Sequence, residues 1–244
     1  MGELIAIASG KGGTGKTSVC AGIATALTLM GKQVLCIDCD MGLRNLDIAL
    51  GMTEELTLSF LDICRGDYTL SQATVHPDFS GLRFLTAPMN CLAGTVEPSD
   101  FAELLCQTRE QFDYVLLDGP AGLDAGFSLA TTYADRILLV TGSDPASIRD
   151  AARTAQVLEL GGKSNVQLIV NRVQKKLFST MDLTVDDIMD EAGLPLIGIV
   201  PEDTKVILAA VAHQPLLRYT RGGAANACKR IAKRIIGIPV PVSI

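Results

Sequence analysis

The chain has 244 residues, a formal net charge of −6, and 48% hydrophobic and 20% charged residues. This composition is too apolar for a disordered chain, and the length suits one large α/β domain better than two ordinary ones. We expect no signal peptide and no transmembrane span, because Glu3 comes early and the longest uncharged stretch, 17–31, is too short.

Short aliphatic runs alternate with helical patterns along the chain. Nearly continuous apolar runs are typical of parallel strands that are covered on both faces. The seven predicted strands are 4–8, 33–38, 82–86, 114–118, 137–141, 166–171 and 196–200. The alternation predicts right-handed crossovers and therefore an α/β fold with a doubly wound, mostly parallel sheet and helices on both faces. We expect one domain over residues 1–244.

Three helices between these strands carry end signals. The segment 16–30 is predicted to end at Gly31 as its C-cap, and 99–109 is predicted to begin at Ser99, which can act as an N-cap. The segment 145–160 starts behind Asp144, with a proline suited to the first turn, and is predicted to end at Gly161.

A glycine-rich loop follows the first predicted strand. Residues 10–17 read GKGGTGKT, which has the spacing of a phosphate-binding P-loop. Its glycines let backbone N–H groups point at phosphate oxygens, and the next helix adds its positive N-terminus. We expect Lys16 to reach the β- and γ-phosphates and the Thr17 hydroxyl to bind Mg²⁺. The predicted nucleotide-binding loop comprises Gly10, Lys11, Gly12, Gly13, Thr14, Gly15, Lys16, Thr17 and Ser18.

Carboxylates follow two other strands. Asp38 and Asp40 end the second predicted strand, and Asp118 ends the fourth. Open α/β sheets bind ligands at the carboxyl ends of their strands, so these groups should converge on the P-loop. The predicted metal ligands are Thr17, Asp40 and Asp118, with Asp118 as a Walker B carboxylate.

Polar residues after the last two strands could frame a nucleotide base. They are Asn171, Arg172, Pro201, Glu202 and Asp203. Loop caps would give the same pattern, so both interpretations stay open.

The seven cysteines lack paired spacing, which favours reduced thiols in the cytoplasm. Cys36 and Cys39 are three residues apart, but on a strand such residues face opposite sides. A metal site between them is therefore not expected.

These motifs together resemble the MinD/ParA family of ATPases. KGGTGKT looks like the deviant Walker A motif of that family, and Lys11 stands at the position of its signature lysine. The segments DCDMGLRNLD, DGPAGLD, SDPASIRD and IVPEDTKV, and the Asn171–Arg172 pair, are most similar to the MinD branch. The resemblance runs colinearly from about residue 3 to about residue 238.

The resemblance implies a P-loop NTPase of the SIMIBI type that binds ATP or ADP with Mg²⁺ and hydrolyses ATP to ADP and phosphate. It implies an ATP-dependent homodimer in which Lys11 crosses to the partner's phosphates. Asp40 would position the attacking water, and Asn171 with residues 201–203 would form the adenine pocket. The catalytic residues by resemblance are Lys11, Lys16, Asp40, Asn45 and Asp118.

The implied function is a switch for spatial positioning in cell division site selection, with a division inhibitor or activator as protein partner. The alternative is a ParA-type segregation ATPase that binds DNA non-specifically. A metal-cluster carrier is disfavoured because no cysteine pair is placed for it. A capsule-type tyrosine kinase is disfavoured because Tyr219 stands alone near the C-terminal end.

The last 41 residues, 204–244, contain seven basic and no acidic residues, so with a total of −6 the first 203 carry −13. Such a basic end predicts contact with a polyanion, although a solvated helix face gives the same pattern. The MinD branch usually continues into a short amphipathic membrane-targeting helix, for which the sequence to residue 244 shows no match.

A basic amphipathic helix predicted over 222–238 is the candidate substitute. Its apolar positions are spaced for one helix face, which fits a helix on a membrane surface and equally fits a last core helix. Four cations on the other face, Lys229, Arg230, Lys233 and Arg234, would contact an anionic membrane, with DNA the less favoured surface. The expected location is the cytoplasm, with peripheral association at the inner face of the cell membrane.

Overall fold

The computed structural model describes residues 1–41, 43–88, 96–174 and 184–243, and it confirms the predicted α/β fold. Cys91 lies outside the described residues. The strands are β1 (Glu3–Ser9), β2 (Val34–Asp38), β3 (Thr74–His76), β4 (Phe79–Leu85), β5 (Tyr114–Ala121), β6 (Arg136–Thr141), β7 (Val166–Val173) and β8 (Leu196–Pro201). They form one eight-stranded sheet in the order β3-β4-β2-β5-β1-β6-β7-β8.

Seven of these strands are the seven predicted ones, and their mutual pairings are parallel. β5 and β7 run past their predicted ends, so Asp118, Asn171 and Arg172 lie within strands and not after them. β3 was not predicted. It is a three-residue edge strand antiparallel to β4, and only His76 of its residues is buried. So short a segment lacks the apolar run that identified the others. Because β1 lies between β5 and β6, the loop that follows β1 leaves the middle of the sheet.

The described helices are α1 (Lys16–Leu29), α2 (Leu46–Leu50), α3 (Phe60–Cys64), α4 (Pro98–Gln111), α5 (Ala125–Thr132), α6 (Pro145–Leu160), α7 (Val185–Ala192), α8 (Lys205–Val211), α9 (Leu216–Tyr219) and α10 (Gly223–Ile235). The ends of α6 are confirmed, because the Asp144 carboxylate accepts a hydrogen bond from the Ser147 N–H and Gly161 is the C-cap.

Two predicted helix ends were wrong. Met30, not Gly31, is the C-cap of α1, and Gly31 follows it with φ +82° as the residue that leaves the helix. Ser99 does not begin α4, whose N-cap is Glu97. Pro98 has the fixed φ of a first helical turn and so takes the first position, which leaves Ser99 inside that turn.

Helices cover both faces of the sheet, and alternate residues of each strand enter different cores. On β1, Ile5 and Ile7 pack with α1 and α10, whereas Leu4 and Ala6 pack with α3, α4 and α5. A third, smaller core lies between α6, α7, β7 and β8. The expected separation of Cys36 and Cys39 is confirmed, because their buried side chains belong to opposite cores.

The apolar face of α10 is part of the core. Cys228, Ile231, Ala232 and Ile235 are buried in the same core as α1. The helix is shorter than the predicted span 222–238, because Gly237 (φ +81°) ends it. The last-core-helix interpretation of this segment is therefore correct. None of the described helices combines the length and the apolarity that a bilayer crossing requires.

The close approach of α10 to β8 gives a testable prediction. A Cβ at Gly198 would lie 2.3 Å from Ile231 Cγ1, so Gly198→Ala should destabilise the protein by about 1–3 kcal/mol through overpacking. At Gly161 the nearest atoms lie 3.4 Å from a Cβ, which makes Gly161→Ala the matched control. Urea unfolding followed by circular dichroism measures both changes, and equal midpoints for the two variants would contradict the prediction.

Candidate nucleotide-binding site

The P-loop lies between β1 and α1, and its backbone requires glycine at two positions. Gly13 and Gly15 have φ of +80° and +83°, a region that favours glycine. A Cβ at Gly15 would also lie 2.4 Å from Asn171 Nδ2, whereas one at Gly13 would meet nothing within 4 Å. The loop is therefore closed towards β7 at Gly15 and open on its outer side at Gly13.

Lys16 and Asp118 form a buried ion pair at the base of this loop. Lys16 Nζ lies 2.9 Å from Asp118 Oδ1, and the two side chains are only 7% and 1% exposed. Burial alone lowers the pKa of Lys16, but the charge and hydrogen bond of Asp118 outweigh it and raise that pKa. Lys16 Nζ also lies 3.2 Å from Thr17 Oγ1. The structure thus brings together the predicted P-loop lysine, the hydroxyl and the Walker B carboxylate.

Asp38 holds both ends of the loop that follows β2. Its Oδ1 accepts a hydrogen bond from the Asp40 N–H at 2.9 Å, and its Oδ2 accepts one from the Leu46 N–H at 3.2 Å. In the sheet Asp38 is the register partner of Asp118. Burial, followed by the negative charge of Asp118, raises the pKa of Asp38 to about 7.

The other two predicted residues of this loop lie at the same edge of the sheet. Asp40 is half-buried, and its Oδ1 accepts a hydrogen bond from the Leu43 N–H at 3.3 Å. Asn45 is the N-cap of α2 and lines a cavity of about 190 Å³ together with Thr17 and Ser18. Asn45 therefore lies beside the start of α1, where the P-loop ends.

A larger cavity of about 480 Å³ opens beside the P-loop. Its lining includes every residue that the sequence predicted for the adenine pocket, namely Asn171, Arg172, Pro201, Glu202 and Asp203. The apolar wall was not predicted from the sequence. It comes from α8, α9 and α10 and includes Val206, Ile207, Leu216, Ala224 and Cys228. These residues follow ordinary helical spacing, so no local signal marks them as a pocket wall.

The polar residues of this cavity also fix its frame. Asn171 Nδ2 donates to the Thr14 carbonyl at 2.7 Å, and Arg172 pairs with Glu202 at 3.3 Å. The Asp203 carboxylate accepts hydrogen bonds from the Lys205 and Ala224 N–H groups. Asp203 therefore satisfies first-turn N–H groups of α8 and α10 while it lines the cavity. The loop-cap interpretation is correct for Asp203, and its contact with a base stays a prediction.

Lys11 lies at the outer rim of the P-loop. Its side chain is 46% exposed, and its Nζ lies 3.9 Å from Asp144 Oδ1. It shares a cavity of about 460 Å³ with Gly12, Asp144 and Arg172. Lys11 thus belongs to the P-loop, but its side chain is directed to the surface, unlike the buried side chain of Lys16.

The donor set fits a nucleotide with Mg²⁺. Thr14 Oγ1 is buried without a hydrogen-bond partner in the described part of the chain, as expected for a group that meets a ligand. A hydroxyl and two carboxylates, from Thr17, Asp40 and Asp118, are oxygen ligands of the kind that Mg²⁺ uses alongside phosphates. Across the described ranges, His, Cys, Asp and Glu form no group of three or more that could hold a metal alone.

Comparisons with known proteins agree with this geometry. Residues 5–216 match the family described as the CobQ/CobB/MinD/ParA nucleotide binding domain. The chain is 35% identical over 250 residues to the septum site-determining protein MinD of Bacillus subtilis (strain 168), with 100% of this chain and 92% of that protein covered.

Solved structures of related proteins share the fold. A MinC:MinD cell division protein complex from Aquifex aeolicus contains a chain with 33% identity and a TM-score of 0.92, covering 99% of this chain and 98% of that one. MinD from Pyrococcus horikoshii, solved with Mg-ADP, has 27% identity and a TM-score of 0.84, with 97% of each chain covered.

The raised pKa of Asp38 gives a testable pH dependence. The folded nucleotide-free protein binds this proton more tightly than the unfolded chain does. The free energy of unfolding should therefore fall as pH rises from about 3.8 to about 7 and then change little.

Asp38→Asn should flatten this slope, and the exposed-site variant Asp67→Asn should retain it. Urea titrations at a series of pH values measure the slope. A slope that is unchanged in Asp38→Asn would assign the dependence to other groups.

Proposed function

Because the chain belongs to the CobQ/CobB/MinD/ParA nucleotide-binding family, we propose that it is an ATPase switch of the MinD kind. Such a switch dimerises on ATP and hydrolyses it to control cell division site selection. The resemblance to the MinD branch is confirmed, and its relatives are septum site-determining proteins, which favours this function over ParA-type DNA segregation. ATP hydrolysis follows from the family.

The observation that carries the proposal is the buried pair of Lys16 and Asp118 beneath an open glycine loop. When a nucleotide binds, Lys16 exchanges the Asp118 carboxylate for phosphate oxygens and so keeps a negative partner in its buried position. Asp118 is thereby released to the side of the Thr17 hydroxyl. Bound Mg²⁺ supplies charge neutralisation and phosphate orientation, and Thr17, Asp118 and Asp40 are the residues that would hold it.

Asp40 orients the attacking water, and Asp38 keeps Asp40 in place through its backbone N–H. The loop between Asp38 and Leu46 is the first switch segment. The second runs from Asp118 through the end of β5 to Asp124. The second contains Gly122 with φ +93°, which a larger residue could not adopt without strain. After hydrolysis these segments lose their contact with the γ-phosphate and change conformation. The surface that the protein presents to its partners changes with them.

Lys11 acts across a homodimer interface. Its position at the rim, half exposed and only loosely paired with Asp144, lets it reach phosphates outside its own loop. There it stabilises the charge that develops in phosphoryl transfer, as a cation supplied in trans does in other P-loop enzymes. Asn45 lies in the first switch loop beside Thr17 and contacts the same region.

The partners follow from the same family. The Aquifex relative was solved in a MinC:MinD complex, and we infer a division-inhibitor partner of that kind for this chain. We also infer peripheral association with an anionic membrane from the cytoplasmic side, through the cations of α10, since its apolar face is buried in the core.

The role of Lys11 is testable. Lys11→Ala should bind ATP nearly normally but lose about a thousandfold in turnover and form little dimer with ATP. Phosphate release and size-exclusion chromatography with light scattering measure the two effects. Lys32→Ala, at the opposite edge of the sheet, is the control and should behave as wild type. Wild-type turnover in Lys11→Ala would remove the lysine from the mechanism.

The metal and Asp40 are tested together. Turnover should stop in EDTA and return with added Mg²⁺. Asp40→Ala should retain ATP binding, accumulate the ATP dimer and lose about a hundredfold or more in kcat, because the water loses its orienting group. Full turnover in EDTA would exclude the magnesium site, and undiminished kcat in Asp40→Ala would exclude this role for the carboxylate.

A further inference from the structure

The chain folds back on itself after α10. Gly237 reverses the chain with φ +81°, and the Ile238 N–H donates to the Lys233 carbonyl at 2.9 Å. Residues 238–243, here called the C-terminal strap, then run back along the cationic side of α10. The strap sequence IPVPVS contains two prolines, which have no backbone N–H with which to join a strand or helix.

Two of the four cations of α10 hold the strap. Arg234 donates to the Val240 carbonyl from Nε at 3.1 Å and from Nη2 at 3.0 Å, and to the Pro241 carbonyl from Nη2 at 2.7 Å. Arg230 Nη2 donates to the Ser243 carbonyl at 2.7 Å. The strap thus occupies guanidinium N–H groups of the kind that bind phosphate oxygens bidentately.

The remaining hydrogen bond of Arg234 fixes the guanidinium to the sheet. Its Nη1 donates to the Ile197 carbonyl at 2.7 Å, on β8. This bond does not involve the strap, so Arg234 stays at the surface in the same place when the strap leaves. Lys229, half-buried, and Lys233, exposed, are the other two cations of this side.

The strap itself is weakly anchored. Ile238 is 46% and Val242 49% exposed and Val240 is half-buried, so none of its three aliphatic side chains is fully covered. Its attachment depends mainly on carbonyl oxygens that accept from arginine. Segments with few buried apolar contacts open locally at low free energy, and an oxygen-rich ligand that offers negative charge competes well for the same donors.

We propose that the C-terminal strap is a displaceable cover over the cationic side of α10, and that anionic lipid headgroups displace it by competing for Arg230 and Arg234. The proposal rests on the membrane association proposed above and adds its regulation. Displacement exposes Ile238, Val240 and Val242 beside four cations. Apolar side chains next to cations suit a membrane interface, whereas duplex DNA offers phosphates without an apolar phase.

The strap and the nucleotide cavity contact different faces of α10. Ala224 and Cys228 line the cavity from the buried face of the helix. The strap is held on the cationic side, by Arg230 and Arg234. Changes in the strap should therefore leave ATP binding and turnover unchanged, and turnover becomes the control for a correctly folded protein.

The test is co-sedimentation of the full chain with vesicles of phosphatidylglycerol and phosphatidylcholine in the presence of ATP. Pro239→Gly with Pro241→Gly loosens the strap through chain entropy and leaves its carbonyls and apolar side chains in place. We expect about tenfold tighter binding to these vesicles for the double variant and no gain on phosphatidylcholine alone. Adding Arg230→Gln to this double variant should remove most of the gain in vesicle binding, because the headgroups lose one of the two arginines that they contact.

A second readout follows the strap itself. The chain contains no tryptophan, so Val242→Trp places a single indole fluorophore on the strap at a position that is 49% exposed. Its emission should shift to shorter wavelength when phosphatidylglycerol vesicles are added, because displacement carries this position into the membrane interface. Emission that stays unchanged while the protein sediments with the vesicles would overturn the proposal, as would unaltered or weaker vesicle binding by the proline variant.

Other outcomes distinguish a failure of the strap proposal from a failure of the proposed function. Tighter binding of the proline variant to duplex DNA but not to vesicles would replace lipid by nucleic acid and overturn the proposal. Absence of vesicle binding by every variant, with turnover intact, would overturn the strap and the membrane association while the ATPase function stands. Absence of ATP turnover in the wild-type protein would instead contradict the proposed function.

Discussion

The buried ion pair between Lys16 and Asp118 is the constraint on which the site depends. Two charges with almost no exposure are stable in a core only when they satisfy one another or a ligand replaces one partner. In the function proposed above, phosphate oxygens replace Asp118 as the partner of Lys16. Nucleotide binding then acts on Asp118 and on the segment that follows it.

The parallel sheet makes that pair possible. Asp38 and Asp118 are register partners on neighbouring strands, and the P-loop follows the next strand across. Carboxyl ends of parallel strands share one edge, so residues more than a hundred positions apart meet there. Both carboxylate oxygens of Asp38 accept hydrogen bonds from backbone N–H groups. These bonds tie the loop that follows β2 to the same edge of the sheet.

The cationic side of α10 is held by a different set of contacts. The apolar side of α10 is buried in the core, so the helix offers a partner surface its cations and not its apolar side chains. Two of its arginines bind carbonyls of the strap, and one of them also binds a carbonyl of β8. A charge count from sequence treats these four cations as equal, but their hydrogen-bond partners make them different.

The sequence by itself determined the seven main strands, the P-loop, the convergent carboxylates and the family, because each depends on local spacing or on a shared edge. Only the tertiary structure decided that α10 is a core helix, that Asp203 accepts hydrogen bonds from two helices, and that Val206, Leu216 and Cys228 form a wall of the cavity beside the P-loop. It also decided the edge strand β3 and the first residue of α4. Helical spacing reports which residues are apolar but not what covers them, since that depends on elements distant along the chain.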